Sequence, residues 1–274
     1  MALGVLAFPS DGHGQAATLA NYALDDEPAV RWRLPGRLRE ISGLTVAHGD
    51  RLYAHDDEEA IIYEIDYREG ELIKAWALGD NLARGDFEGI ASDGDRFYLV
   101  TSDGRIYESR EGDDDDRMLF NTYGTGVGRQ CEVEGLTFEP SDRTLLLACK
   151  TPRNEDIEDF VAIYRFSLER HEVIGDPILV PLEDITSPID KKDFRPSGIA
   201  RHPLTGHYVL VAARQTAMAE ITPDGEIVAV VDLDGGNHRQ VEGITFLPDG
   251  TLILADEGGG RRARLTLYPL DPRL

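Results

Sequence analysis

The sequence predicts an all-β fold, a five-bladed β-propeller whose blades are four-stranded antiparallel sheets. A glycine-containing motif recurs five times along the chain, and short β-rich runs follow each copy in the same order. A further β-rich run precedes the first copy and has no unit of its own. We therefore expect one propeller domain over residues 29–274, preceded by an N-terminal extension over residues 1–28.

The recurring motif consists of a polar residue, a variable residue, Ser or Glu, an unvarying Gly, and Leu or Ile. The last residues of successive copies lie 46, 46, 63 and 45 positions apart, and four short strands with their turns occupy about 45 residues. The long interval contains polar stretches, 151–159 and 182–195, which indicate loops inserted into the third unit. The five copies are Glu40–Leu44, Asp86–Ile90, Glu132–Leu136, Arg195–Ile199 and Gln240–Ile244.

Each copy starts the first strand of a blade, and the strands that follow can be placed in order. In the first unit they are 51–55, 60–66 and 72–78, separated by turns that contain Asp, Glu and Gly. No stretch has the sustained apolar spacing of an amphipathic helix, so folds that alternate helices and strands are disfavoured. The last unit ends after a third strand at 264–270. The early strand 29–34 is expected to complete that blade, which closes the ring.

The residue before each motif glycine is expected to point toward the channel axis. The first strand of each blade lines the channel of a propeller, and the glycine lets neighbouring inner strands approach closely. Three of the five residues are carboxylates, which raise one another's pKa unless a cation neutralises them. Oxygen ligands of this kind suit Ca²⁺ better than the smaller, octahedral Mg²⁺. The alternative is that they hydrogen-bond neighbouring strand ends and channel water. The five residues are Ser42, Glu88, Glu134, Ser197 and Glu242.

The ends of the second strands reach the same mouth of the channel and add further oxygen donors. Glu257 is the best candidate because it follows the apolar run 251–255 and belongs to the same blade as Glu242, on the adjacent strand. The donors at these strand ends are Asp56, Asp103, Asp256 and Glu257. The predicted metal ligands are Glu88, Glu134, Glu242 and Glu257.

The glycine motifs and the run from Gly243 to Glu257 resemble the SdiA-regulated, YjiK-like proteins, with a likeness that spans Ala29 to Leu270. This resemblance implies a five-bladed propeller with a calcium ion in a shared site and an extracytoplasmic location. The Glu-Gly and Ser-Glu pairs of that family's last blade correspond to Glu242-Gly243 and Asp256-Glu257. Lys150 departs from the pattern, since it stands where the third blade would supply another acidic group.

Charge and hydropathy narrow the classes of partner. The chain has 51 acidic and 28 basic residues, a formal net charge of −23, which repels nucleic-acid backbones and anionic lipids. The four aspartates 113–116 are expected in a solvated loop. A transmembrane helix is not expected, because no run approaches about 18 apolar residues, and residues 1–8 do not have the features of a signal peptide. We expect a monomer whose ligand is a small molecule or a protein.

Cysteines and glycines give weaker signals. Cys131 and Cys149 are expected to be small buried or half-buried thiols, with a disulfide between adjacent strands as the alternative. The run Gly124–Gly128 is expected to be a flexible loop, because it lacks the strand and helix of a phosphate-binding βαβ unit. The run Gly258–Gly260 predicts a turn between the last two strands, whose Arg261 and Arg262 stand where they can contact an anionic ligand at the rim.

Two functions follow from a calcium-binding channel. One is a binding or scaffold module in which the ion ties the blades together. The other is a metal-dependent hydrolase of the lactonase or phytase-like kind, in which the ion polarises an ester or phosphoryl oxygen and activates water. No Gly-x-Ser-x-Gly motif supplies a serine nucleophile. His55 with Asp56 is a weak candidate for a general base, since it falls at a second-strand end near the channel mouth. Whether the protein is an enzyme stays open at this level.

Overall fold

A computed structural model describes residues 18–24, 26 and 28–271. Most of the predicted N-terminal extension and the last three residues lie outside the described residues, so the boundary at residue 29 stays a prediction. The part of the extension that is described packs onto the propeller, because Leu19, Tyr22 and Leu24 are buried in the core.

Twenty-one strands account for most of the ordered secondary structure in the described residues. The helices are the α-helix α1 (Leu182–Thr186) and 3₁₀ turns at Leu19–Asn21, Gly36–Leu38, Val127–Arg129, Glu155–Ile157 and Ser187–Ile189. The strands are β1 (Val30–Arg33), β2 (Ile41–Ala47), β3 (Arg51–Asp56), β4 (Ile61–Asp66), β5 (Glu71–Leu78), β6 (Phe87–Ser92), β7 (Arg96–Thr101), β8 (Arg105–Arg110), β9 (Arg117–Met118), β10 (Phe120–Gly124), β11 (Cys131–Glu139), β12 (Thr144–Pro152), β13 (Phe160–Ser167), β14 (Glu172–Pro181), β15 (Gly198–Arg201), β16 (Tyr208–Ala212), β17 (Ala217–Ile221), β18 (Ile227–Asp232), β19 (Val241–Phe246), β20 (Leu252–Asp256) and β21 (Arg264–Tyr268).

Hydrogen bonding arranges these strands into five sheets, which confirms the predicted five-bladed propeller. Blade 1 is β2-β3-β4-β5, blade 2 is β6-β7-β8-β10, blade 3 is β11-β12-β13-β14, and blade 4 is β15-β16-β17-β18. Blade 5 is β19-β20-β21-β1. The four strands of each blade pair antiparallel, and β9 adds a short parallel pairing to the edge of blade 1. The N-terminal strand completes the last blade as predicted, with Val30 opposite Leu267 and Arg33 opposite Arg264.

The two insertions predicted in the third unit are present in the structure. The first follows β12 and contains the 3₁₀ turn Glu155–Ile157, and the second contains α1 and the 3₁₀ turn Ser187–Ile189. Neighbouring blades then bury apolar clusters between their sheets. Between blades 1 and 2, for example, Phe97 packs edge-on against Tyr53 and Trp76, at ring-centroid distances of 4.6 and 5.2 Å. The core therefore consists of several apolar clusters, which lie between neighbouring blades around the channel.

A β-bulge falls at the motif in four of the five blades. In blade 2 the pairing passes from Phe87–Thr101 to Gly89–Val100, so that Glu88 has no residue directly opposite it. The same shift occurs in blades 1, 3 and 5, and in blade 4 both Ser197 and Gly198 face Val211. Because a bulge redirects the side chain of its extra residue, the residue before the glycine leaves the regular alternation of the strand in these four blades.

The motif glycines lie where inner strands of adjacent blades touch. A Cβ atom on Gly89 would lie 2.7 Å from the backbone nitrogen of Leu136 in blade 3, and one on Gly198 would lie 2.6 Å from the backbone oxygen of Glu242 in blade 5. Backbone atoms cannot move aside as a flexible side chain can. The glycines are therefore required for close approach at the narrow centre of the ring.

Replacing Gly89 with Ala should consequently loosen the contact between blades 2 and 3. We expect a loss of about 1 to 3 kcal/mol in the free energy of unfolding, the range for overpacking a close contact, measured as a lower thermal midpoint. Gly124→Ala is the matched control, since nothing lies within 4 Å of its Cβ position. Equal midpoints for the two variants would contradict the role assigned to Gly89.

The two cysteines form a disulfide, so the expectation of two thiols is wrong and the alternative is confirmed. Cys131 and Cys149 are bonded across β11 and β12, with a Cα–Cα distance of 5.6 Å. They are not paired in register, since Cys131 lies opposite Pro152 and Cys149 opposite Val133. A register shift between Glu132 and Val133, which leaves Lys150 without an opposite residue, lies between their pairing positions, and the register of a strand pair is not revealed by spacing along the chain.

Candidate functional site

The five inner strands surround the channel, and their motif residues line it with two kinds of side chain, apolar and polar. The buried side chains of Leu and Ile at the end of each motif lie around a narrow cavity of about 10 Å³. Ser42, Glu88 and Glu242 line the same cavity. Apolar side chains therefore close the channel beside a ring of polar ones. The apolar ring is Leu44, Ile90, Leu136, Ile199 and Ile244.

The three carboxylates of the polar ring act on one another electrostatically. Burial, followed by repulsion from Glu134, raises the pKa of Glu88 far above its ordinary value. Burial raises the pKa of Glu242 to about 7, although a hydrogen bond from Gln240 opposes the shift. The pKa of Glu134 is raised by burial as well, despite a cation beside it. Each of these groups is therefore easier to ionise when positive charge is added to the channel.

One cation is supplied by the chain itself. The Lys150 ammonium lies 2.7 Å from Glu134, whose side chain is 7% exposed. The sequence interpretation placed Lys150 near this site as a departure from the expected acidic residue, and the structure shows it as the partner of a predicted ligand. Three carboxylates and one ammonium leave a charge of −2 when all are ionised. Among the described residues, no hydrogen-bond donor reaches the Glu88 carboxylate.

Glu257 joins the ring through one amide side chain. Gln240 donates a hydrogen bond from Nε2 to Glu242 at 3.1 Å and a second to Glu257. The backbone nitrogen of Glu257 donates to the backbone oxygen of Gln240 at 2.9 Å. Glu242 on β19 and Glu257, which directly follows β20, are thus held side by side in blade 5.

The motif serines have structural partners. Ser197 Oγ donates to the backbone oxygen of Val241 at 2.7 Å and accepts from the backbone nitrogen of Ala213 at 3.0 Å, which ties blade 4 to blade 5. Ser42 is buried. Ser197 therefore has the structural role that was the alternative for the whole ring, since it hydrogen-bonds neighbouring strands.

A second acidic group lies at the channel mouth in blade 1. One carboxylate oxygen from each of Glu40, Asp56 and Asp57 lies within 4.8 Å of the other two. Burial, then repulsion from Asp56 and Glu40, raises the pKa of Asp57 to about 6, and Glu257 adds to that repulsion. Asp57 Oδ1 is buried and has no hydrogen-bond partner among the described residues. This group extends the acidic surface of the ring toward blade 1.

Sequence interpretation identified only Asp56 from this group. Asp57 occupies the repeat position that Glu257 holds in blade 5 and Lys150 holds in blade 3, two residues beyond the one that faces the motif glycine. Glu40 is the first residue of the first motif copy. The signal for Asp57 in the sequence is its position just after the second strand, which matches that of Glu257 when the two blades are aligned on their motif glycines.

Two other residues predicted to offer oxygen ligands at the channel mouth accept hydrogen bonds from nearby groups instead. Asp256 is buried and accepts hydrogen bonds from the backbone nitrogens of Arg239 and Gln240, at 2.7 and 3.1 Å, while His238 Nδ1 lies 3.0 Å from it. Asp103 is exposed and accepts from the Thr101 hydroxyl at 2.5 Å within its own turn. Both carboxylates stabilise local turns in this structure.

His55, the weak candidate for a general base, is completely buried. Its Nδ1 donates to the backbone oxygen of Asp56 at 2.9 Å, so the bare Nε2 faces Gly43, where an added Cβ would lie 2.6 Å away. Burial lowers the pKa of His55 to about 4. Its catalytic role stays a prediction, which this enclosed position does not favour. Carboxyls whose pKa lies near neutrality, such as Asp57 and Glu242, are better suited to exchange protons at the mouth.

The sequence of the propeller matches a known family of proteins. A family model described as "Phytase-like: Esterase-like activity of phytase" matches residues 36–240, about three quarters of the chain. The chain belongs to the phytase-like family. The matched residues run from just before the first motif copy to the first residue of the last copy, so this phytase-like region includes four of the five inner strands and ends just before β19. The match supports membership of a propeller family, and the likeness to SdiA-regulated proteins stays a prediction.

Solved structures agree on the fold of this phytase-like chain. The crystal structure of glutaminyl cyclase from Myxococcus xanthus matches with a TM-score of 0.62 at 15% identity, over 89% of this chain and 96% of that one. The PQQ-bound aldose sugar dehydrogenase from Streptomyces coelicolor matches with a TM-score of 0.56 at 15% identity, over 88% and 99%. Identities this low show the fold alone. No protein of curated function matches the chain in sequence.

Proposed function

We propose that this protein is a calcium-dependent ester hydrolase whose metal centre lies in the acidic mouth of the propeller channel. The observation that carries the proposal is the charge imbalance of the ring, in which Glu88, Glu134 and Glu242 share Lys150 as their cation. Membership of the phytase-like family supports hydrolysis as the activity. The binding or scaffold module predicted from the sequence is the alternative that a failed activity test would favour.

The donor set fits a hard divalent cation. It consists of carboxylates without a thiolate or an available imidazole, which favours calcium or magnesium over zinc or copper. Glu88 has no hydrogen-bond donor of its own among the described residues, and burial with like charge disfavours its ionised form. A bound cation would restore that form. Glu88, Glu134, Glu242 and Glu257 are the residues proposed to hold it, and their side chains would move closer together around the ion. In the described part of the chain, Glu40, Asp56 and Asp57 are the group whose carboxylate oxygens already lie within 4.8 Å of one another, so they form a second acidic group beside the ring.

When bound, calcium would polarise the ester or phosphoryl oxygen and lower the pKa of a water molecule. The chain's own residues set the conditions around it. Gln240 fixes the relative positions of Glu242 and Glu257, and the apolar ring from Leu44 to Ile244 closes the channel on one side. Asp57, with a pKa of about 6, is ionised near neutrality and suited to accept a proton.

The location proposed for the protein is extracytoplasmic. The disulfide between Cys131 and Cys149 supports this, because disulfides persist mainly in oxidising compartments. No helix in the described part of the chain has the length and apolar character needed to cross a membrane.

The proposal is tested by calcium titration of EDTA-treated protein with calorimetry, alongside hydrolysis of p-nitrophenyl acetate and p-nitrophenyl phosphate. We expect saturable calcium binding, a higher thermal midpoint with calcium, and turnover of at least one ester that EDTA removes and calcium restores. Calcium binding without turnover of either ester would overturn the hydrolase and favour the binding module. Turnover that is unaffected by EDTA would overturn the metal centre. Asp57→Asn and Glu88→Gln, compared in the same titration, identify which acidic group holds the ion.

A further inference from the structure

A basic cleft lies in blade 5, an unexpected feature in so acidic a chain. It has a volume of about 870 Å³ and runs between β1, the turn from β20 to β21, and the segment before β19. Six arginines and two acidic residues line it, although the chain as a whole carries a net charge of −23. The arginines are Arg31, Arg33, Arg239, Arg261, Arg262 and Arg264.

Strand pairing places like charges directly beside each other in this cleft. Arg33 on β1 lies opposite Arg264 on β21, and like charges opposed across a strand pair destabilise a sheet. Arg31 and Arg33 are two residues apart on β1, so they project from the same face. Folding therefore concentrates positive charge here at the expense of local stability.

The two acidic residues of the lining offset only part of the charge of the six arginines. Asp256 is buried and already bound by the backbone nitrogens of Arg239 and Gln240, and Glu257 accepts from the Gln240 amide. Of the six arginines, all except Arg31 are without an ion pair to any residue that the structure describes. Their guanidinium groups are therefore available to an external anion.

Two of the arginines are held in position. The buried Asn237, 8% exposed, accepts a hydrogen bond from Arg31 on its side-chain oxygen and another from Arg264 Nη1 on its backbone oxygen at 3.1 Å. Arg264 has further N–H donors beyond the one that Asn237 accepts. Arginines fixed in this way lose less conformational entropy when they bind a ligand.

We propose that this arginine cleft binds a small, multiply charged oxyanion of the phosphate class. Planar guanidinium groups match phosphate oxygens with paired hydrogen bonds, and the volume lies within the range of about 300 to 1,000 Å³ typical of small-molecule sites. Gln240 and Glu257 line the cleft and also contact the channel ring. A phosphate group held here would lie next to the acidic mouth, and its assignment as part of a substrate rests on the proposed hydrolase.

Anion binding can be measured without that assumption. Inorganic tripolyphosphate is titrated by calorimetry into the full chain at low salt with EDTA present, so that no metal takes part. We expect saturable binding at one site that weakens as salt is added. Arg33→Ala and Arg261→Ala should each weaken it about tenfold, the effect of losing one charge-assisted hydrogen bond. Arg170→Ala is the control, since Arg170 is a 65% exposed arginine in the β13–β14 turn of blade 3.

The outcomes separate this site from the metal centre. Glu88→Gln should bind tripolyphosphate as the original chain does, even if it hydrolyses nothing, because Glu88 is not part of the cleft. Binding that fails to saturate, or that falls equally in Arg170→Ala, would overturn the proposal and indicate a general effect of charge. Thermal midpoints of the two cleft variants show whether they fold, and removing Arg33 should maintain or raise the midpoint because it relieves repulsion from Arg264.

Discussion

Replacing Glu88 with Gln is expected to move activity and stability in opposite directions. Calcium-dependent ester hydrolysis should fall by more than about 100-fold, since losing even an indirect partner of a metal ligand reduces activity by about 10 to 100-fold. The thermal midpoint of the metal-free protein should rise at the same time. If Glu88 served only to pack the channel, replacing it with Gln would lower both the activity and the thermal midpoint.

The stability gain follows from the surroundings of Glu88. Its carboxylate is mostly buried beside Glu134 and Glu242, and burial together with this repulsion raises its pKa far above the ordinary value. Ionising it near neutral pH therefore opposes folding. Gln has nearly the same shape and no charge, so it keeps the bulge filled while it removes the repulsion. Such a gain at the expense of function is typical of residues retained for activity.

Both properties are measured on the same preparations. The midpoint is recorded in EDTA at pH 8, and hydrolysis is recorded with calcium in excess. Glu172→Gln is the matched control, because Glu172 is 61% exposed at the start of β14, away from the inner strands. We expect the control to leave both quantities unchanged. A Glu88→Gln protein that keeps its activity would show that Glu88 holds no catalytic ion.

The repeat made the fold predictable because each blade repeats one local solution. The same short motif, in the same phase with its following strands, predicted five inner strands, and the unpaired strand at 29–34 predicted how blade 5 is completed. Closure is a topological requirement, since an open ring would leave an edge strand unpaired. These features follow from the local order of the residues and from the number of repeats and strands, both of which can be read from the sequence.

The site was predictable only in part, since it depends on register. The motif located Glu88, Glu134 and Glu242, but the bulge that redirects them arises from pairing with the second strand. A second shift in blade 3 leaves Lys150 without an opposite residue, and Lys150 pairs with Glu134. The arginine cleft collects residues from β1 and from the last 40 residues of the chain, so ring closure alone brings it together. Only Arg261 and Arg262 stood out in the sequence.

The metal-free protein is expected to lose stability as pH rises from 6.5 to 8.5, and calcium should cancel this loss. Burial raises the pKa of Glu242 to about 7, and that of Glu88 is raised further by burial and by Glu134. In the unfolded chain both groups ionise near pH 4.5. Across this interval the folded protein therefore binds more protons than the unfolded chain, and its stability falls as pH rises.

The interval is chosen so that other groups do not obscure the effect. His55 and His202 have pKa values lowered to about 4 by burial, so their contribution makes stability rise with pH, and it ends near pH 6.5. Above that pH the channel carboxylates dominate. One carboxyl that stays protonated only in the folded state changes the free energy of unfolding by about 1.4 kcal/mol per pH unit. Partial titration of two such groups gives a decrease of about 1 to 3 kcal/mol over the interval.

Urea unfolding at four pH values, with EDTA and with calcium, measures this dependence. Calcium binds the ionised carboxylates, so the stabilisation it provides should increase with pH and flatten the profile. Glu242→Gln should have a shallower metal-free profile than the original chain, whereas Glu172→Gln should follow the original. A profile that is already flat in EDTA would show that the ring carboxylates are ionised without a metal. The positive charge of Lys150 would then be sufficient to compensate the channel carboxylates, and the protein would not depend on calcium for its stability.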